Sequence, residues 1–260
     1  MAGTEEVTDE ALYVLTALLL TPAQFPSVLG DDFPAACAAL GIDPHPQGYG
    51  LVLGQDGEGA RWTVVVDDVS LVAVAIASWD CGIEYDLSPD ERSIVVSLPG
   101  WPLAVAVAAP GIPEPHDPEA ESAPLTPPDA GQWGPPQRRL GADEIAQQWG
   151  TWREQLGGDE AFPPADGPQE KPTGPAAQVI EELHGYVASP PPAGRIRSTY
   201  APDGARTVRA DGPGWSMVAR TDDIAFLLLD EAPGEVVPLG RGTELPALLQ
   251  ALEALAVRPA

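Results

Sequence analysis

Nine prolines fall between residues 110 and 136, interleaved with acids and with almost no large aliphatic side chains. Such a composition cannot offset the conformational entropy that folding removes, so the stretch predicts an extended, mobile linker. Whatever folds must do so on either side of it. On this basis 1–110 reads as N-terminal helices plus an antiparallel sheet and 111–139 as the acidic proline-rich linker. Residues 140–174 read as an amphipathic helix with a proline-rich connector (Pro163 to Pro175), and 175–260 as a C-terminal helix–sheet–helix lobe.

Within the first part, Thr8 ahead of Asp9 and Glu10 has the chemistry of a helix N-terminus, and Leu12, Leu15 and Leu19 recur at helical spacing. A buried helix over Ala11–Leu20 is expected, ending at Thr21-Pro22. The run is too short to span a bilayer and follows acids where a signal peptide carries positive charge. A short second helix is expected from Asp31-Asp32, with Pro34 in its first turn and Gly41 closing it. Six β-type runs follow: Gly50–Leu53, Trp62–Val66, Val69–Ala77, Ile83–Leu87, Ser93–Leu98 and Leu103–Ala109. Turn-forming residues separate them, which predicts an antiparallel meander.

Beyond the linker, Ile145, Trp149, Trp152 and Leu156 make one apolar stripe on a helix from about Ala142 to Leu156. Pro175 opens another helix, with Val179, Leu183, Tyr186 and Val187 on one side and Pro190-Pro191-Pro192 as its stop. Strands are expected at Arg195–Tyr200, Arg206–Ala210, Trp215–Arg220, Ile224–Asp230 and Val236–Leu239, with Pro202-Asp203-Gly204 as a turn. A last helix carries Leu245, Leu248, Leu249, Leu252 and Leu255, with Thr243 as its cap. Helix-then-strands thus occurs twice, predicting an α+β fold of two pseudo-symmetric lobes, each an antiparallel sheet with helices, joined by the linker and a central helix.

Acids outnumber bases 39 to 13, a formal charge of −26 that repels nucleic acid and anionic lipid. Residues 1–110 hold 16 acids against 2 bases, so the acidity lies mainly in the first half. The lone lysine, Lys171, and the abundance of Ala, Gly and Pro suit a GC-rich genome. Cys37 and Cys81 lie in apolar surroundings without a CxxC pair, which points to a reduced, cytoplasmic protein without a zinc site.

The motifs of hydrolases, metalloproteases, P-loop enzymes and dinucleotide-binding folds are absent; Gly212 and Gly214 begin a GxGxxG spacing that Met217 breaks. His45, His116 and His184 occupy unpromising places for a catalytic base. Asp67-Asp68 and Asp222-Asp223 lie between apolar runs, as a cation site or acid–base pair would, or as plain hairpin turns. Gly54–Gly59, with Asp56 and Glu58, reads as a flexible turn whose tip could meet a partner. Trp149 and Trp152 suit either a core or an interface anchor. Arg195, Arg197, Arg206, Arg209 and Arg220 are the main basic concentration, facing either the acidic first half or an external acidic ligand.

Several segments resemble the EspG family, the cytosolic chaperones of type VII (ESX) secretion in actinobacteria. These are Val7–Leu15, Ala38-Ala39-Leu40-Gly41-Ile42, Gly174-Pro175-Ala176-Ala177, Asp203-Gly204-Ala205-Arg206 and Gly214-Trp215-Ser216-Met217-Val218, the likeness being strongest over 174–257. The resemblance implies a pseudo-twofold α+β fold and a chaperone that keeps a helical secreted client soluble before export. It transfers no catalytic residue. The expectation is therefore a binding protein without a cofactor or metal. The alternative is an acidic immunity or antitoxin protein that neutralises a basic toxin. A third alternative is an Asp-dependent hydrolase using Asp67, Asp68, Asp222 or Asp223.

Overall fold

The computed structural model describes residues 12–25, 29, 32–103, 107–118, 129, 131–157, 172–201, 204–242 and 244–258. It has the expected α+β class, with a four-stranded and a five-stranded antiparallel sheet and, among the described residues, six helices. The chain divides into two compact units, Met1–Gly30 with Ala36–Pro128, and Asp31–Ala35 with Asp129–Ala260.

In the first unit β1 (Tyr13–Leu20), β2 (Tyr49–Gln55), β3 (Arg61–Val66) and β4 (Ile94–Pro99) lie side by side in sequence order. The expected helix over Ala11–Leu20 is instead β1. Strand β2 is buried at every position, and buried backbone N–H and C=O groups left unpaired on one edge are costly. Tyr13–Leu20 supplies that missing ladder, and pairing overrides the helical spacing of its leucines.

The converse correction applies to Val69–Ala77, expected as a strand and found as α2 (Val69–Asp80). Its valines suit a strand, but Asp68 caps it, the carboxylate accepting from the Leu71 N–H at 3.1 Å. Val72 and Ala75 then pack on Val52, Val64 and Val66. Gly50 permits this approach, because a Cβ there would stand 2.5 Å from Val72 Cγ2. Ile83–Leu87 joins no ladder, nor do the described residues of Leu103–Ala109. The short helix α1 (Phe33–Ala39) forms as expected, with Asp32 Oδ1 accepting from Ala35 N at 2.7 Å.

The expected mobile linker is ordered at both ends: Pro135 to Arg139 open a helix in which Arg138 and Arg139 are buried, and the linker's start is pinned. His116 bridges Ala60, its carbonyl accepting from Arg61 N at 2.8 Å, and Arg61 forms a bidentate pair with Asp117 at 2.8 and 2.6 Å. The rest of that linker between 119 and 128, the Thr8 cap, Pro202-Asp203, Thr243 and most of Pro163–Pro175 lie outside the described residues.

In the second unit β5 (Ile196–Tyr200), β6 (Arg206–Gly212), β7 (Trp215–Arg220), β8 (Ala225–Leu229) and β9 (Ala232–Leu239) form a meander close to the expected strands. One face buries Val208, Met217 and Leu227 under α5 (Pro175–Ala188) and α6 (Leu245–Leu255). The other packs Val218, Phe226 and Leu228 against Ala142, Ile145 and Trp149. These belong to α3 (Pro135–Gln147) and α4 (Trp149–Gln155), two segments where one helix was expected. Helices on both faces explain why β7 and β8 read as nearly unbroken apolar runs.

The sheet edges are not open templates. Register shifts interrupt β1 between Val14 and Thr16 and the β3–β4 ladder at Val65/Val66, leaving Val95 as the extra residue. Val257 bonds to β5, and β9 carries Pro233, Gly234 and Pro238. Gly212 gives a direct test of the packing: a Cβ there would lie 2.2 Å from the Trp215 indole. Gly212→Ala is expected to cost about 1–3 kcal/mol, read as a lower urea midpoint with an unchanged m-value. An unaltered midpoint would contradict this packing.

Candidate functional site

The sheet face under α3 is polar on its β5–β6 side. Arg197 and Arg209 stand directly opposite each other in the ladder, an arrangement that repels unless carboxylates intervene. Asp211 Oδ2 lies 3.4 Å from Arg197 and Asp143 Oδ1 lies 2.9 Å from Arg209. Ser216 donates to the other oxygen of Asp211 at 2.8 Å. Arg139, 2% exposed, joins this layer from α3. Burial pushes its guanidinium down to about 9, with Arg197 adding to the effect and Asp211, Asp143 and Asp32 opposing it, so it stays cationic at neutral pH. Arg195 pairs with buried Asp32 at 3.0 Å, and Arg138 pairs with Asp230.

The residues singled out as partner contacts are largely occupied inside their own unit. Arg209 belongs to the buried layer above. Arg206 donates to Ser198 Oγ at 2.7 Å, pairs with Glu253 at 3.1 Å and lies 4.3 Å from the Tyr200 ring centroid. Trp149 is 8% exposed, donates to Asp223 at 2.9 Å and meets Phe226 edge-on. Trp152 is half-buried against the same cluster. Asp56 organises the β2–β3 turn, Oδ1 accepting from Glu58 N and Ala60 N and Oδ2 from Trp62 Nε1. Only Glu58 of this set is plainly exposed.

The paired aspartates have structural partners as well. Asp68 caps α2, so Asp67-Asp68 joins a strand to a helix and not two strands. Asp223 accepts from Trp149 and Arg153, and Asp222 holds Arg220 through two bonds of 2.9 and 2.8 Å. His45, His116 and His184 are exposed, and His184 Nδ1 donates to the Ile180 carbonyl at 2.8 Å. Among the described residues no three His, Cys, Asp or Glu side chains are grouped as metal ligands would be. Cys37 is buried and Cys81 exposed.

Sequence reasoning passed over a different feature. Of the nine large apolar side chains exposed among the described residues, six, Val74, Ile83, Tyr85, Ile94, Val95 and Val107, lie in the first unit, and Leu140, Val187 and Tyr200 lie in the second. Reading Ile83–Leu87 as a paired strand hid two of them. The alternation of Ile83 and Tyr85 with Glu84 and Asp86, ahead of Pro89-Asp90, was the available signal.

Removing the Asp211 carboxylate by Asp211→Ala is expected to cost about 3–5 kcal/mol, because a buried cation loses its counter-charge; urea denaturation measures it. The Arg220 hydrogen bond holds Asp222 below the usual carboxylate value of 3.8, against the opposing effect of burial. Its contribution to stability is therefore present above 3.8 and lost as pH falls below it. Asp222→Asn should flatten that acid limb of a melting-temperature profile; an identical limb would contradict the pairing. No protein-family model matches this chain, and no curated protein or solved structure matches it either.

Proposed function

We propose that this chain is a non-catalytic, cytoplasmic protein-binding chaperone that keeps a helical secreted client soluble before type VII export. The observation that carries the reading is that six of the nine exposed large apolar side chains among the described residues belong to the acidic first unit, four of them between Ile83 and Val95. Apolar groups gathered on a surface, with carboxylates around them, serve association and solubility together. The arginines, tryptophans and aspartates that could have been reactive or adhesive hold their own fold together. The resemblance of 174–257 to the EspG family supplies the class of client.

The acidity of residues 1–110 favours a second reading, an immunity protein for a basic toxin. Affinity capture on the tagged chain, with identification of the retained protein, separates the two. A helical secreted protein, still held at about 0.5 M salt because its contacts are mainly apolar, is the expected result. Retention of a basic nuclease or other toxin whose association slows steeply with salt would overturn the chaperone reading.

A further inference from the structure

We infer that the exposed stretch Ile83–Val95 of the first unit is the docking surface, and that it takes a partner segment combining large apolar side chains with lysine or arginine. The inference rests on the protein-binding reading above and adds the place and the chemistry.

Four large apolar side chains are exposed along this short stretch, Ile83 by 59%, Tyr85 by 37%, Ile94 by 37% and Val95 by 46%. Single exposed hydrophobics are ordinary, whereas four within thirteen residues of chain make this stretch the candidate for an interaction surface. Glu84, Asp86, Asp90 and Glu91 are exposed among them against one base, Arg92. That imbalance selects a cationic occupant and repels a second copy of this acidic chain.

The stretch is also held in shape before any partner arrives. Leu87 is buried in the core under α2. Asp86 Oδ1 accepts from Ser88 N at 2.8 Å, Asp90 Oδ1 accepts from Arg92 N at 2.9 Å, and the Ser93 carbonyl accepts from Asp67 N at 2.9 Å. A surface ordered in advance loses less entropy on binding. The irregularity at Val95 and the missing N–H of Pro99 interrupt the β4 edge. The occupant is therefore gripped by side chains and charge and does not extend the sheet.

The test titrates the full chain with two synthetic amphipathic peptides of equal length, one of leucine and lysine and one with glutamate in place of each lysine. The lysine peptide is expected to bind about tenfold more tightly than the glutamate peptide, whose apolar side chains alone give the weaker, salt-resistant part of the binding. Ile83→Ser with Tyr85→Ser should weaken the lysine peptide about tenfold. Glu84→Gln with Glu91→Gln should weaken it and make its affinity less sensitive to salt. Asp86 and Asp90 are left in place because their carboxylates hold the turns. Unchanged melting temperatures show that both double variants remain folded. A lysine peptide that binds both variants as it binds the parent, through diffuse attraction, overturns the inference; so does a parent chain that binds neither peptide. These failures concern the surface alone, since client capture, which tests the underlying reading, is a separate measurement.

Discussion

A buried guanidinium must meet a carboxylate, and that requirement organises the second unit. Arg197 and Arg209 face each other across β5 and β6, so neither guanidinium could be buried without Asp211 and Asp143. The same demand draws Asp32 to Arg195 and Asp230 to Arg138. A desolvated ion pair is weak as a source of stability but intolerant of losing one member. The layer therefore fixes which partners must be present more than it adds to the total stability.

This has an outward consequence. Among the described residues nine arginines form ion pairs with carboxylates of their own unit. With 39 acids against 13 bases in the chain, pairing cations internally leaves a surface on which carboxylates predominate. The first unit, with Arg61 tied to Asp117, shows this most clearly. Ile83, Tyr85, Ile94 and Val95 are exposed on a stretch of chain that also carries the exposed Glu84, Asp86, Asp90 and Glu91. As the proposed docking surface, it would discriminate among partners by charge while holding them by hydrophobic contact.

Much of the second unit was legible in the sequence because its signals agree with one another. Pro175, the stripe of Val179 and Leu183, the apolar strands and the leucines of the last helix all point to the same elements. The first unit was less legible because local pattern and tertiary demand conflict. Leucines at helical spacing became β1 to complete the ladder of β2. A valine-rich run became α2 because Asp68 caps it and Gly50 leaves room for it. For the site, Trp149, Trp152, Arg206 and Arg209 have the right chemistry for a partner, but the fold engages them first. That assignment depends on cross-strand register and helix placement, which single-sequence periodicity does not contain.

The most direct measurement is amide hydrogen exchange across the whole chain with and without its captured client. The account predicts slowed exchange confined to residues 83–95 and the adjoining end of β4, with α3 and α4 unaffected. Slowed exchange over Trp149–Gln155 with 83–95 unchanged would contradict it.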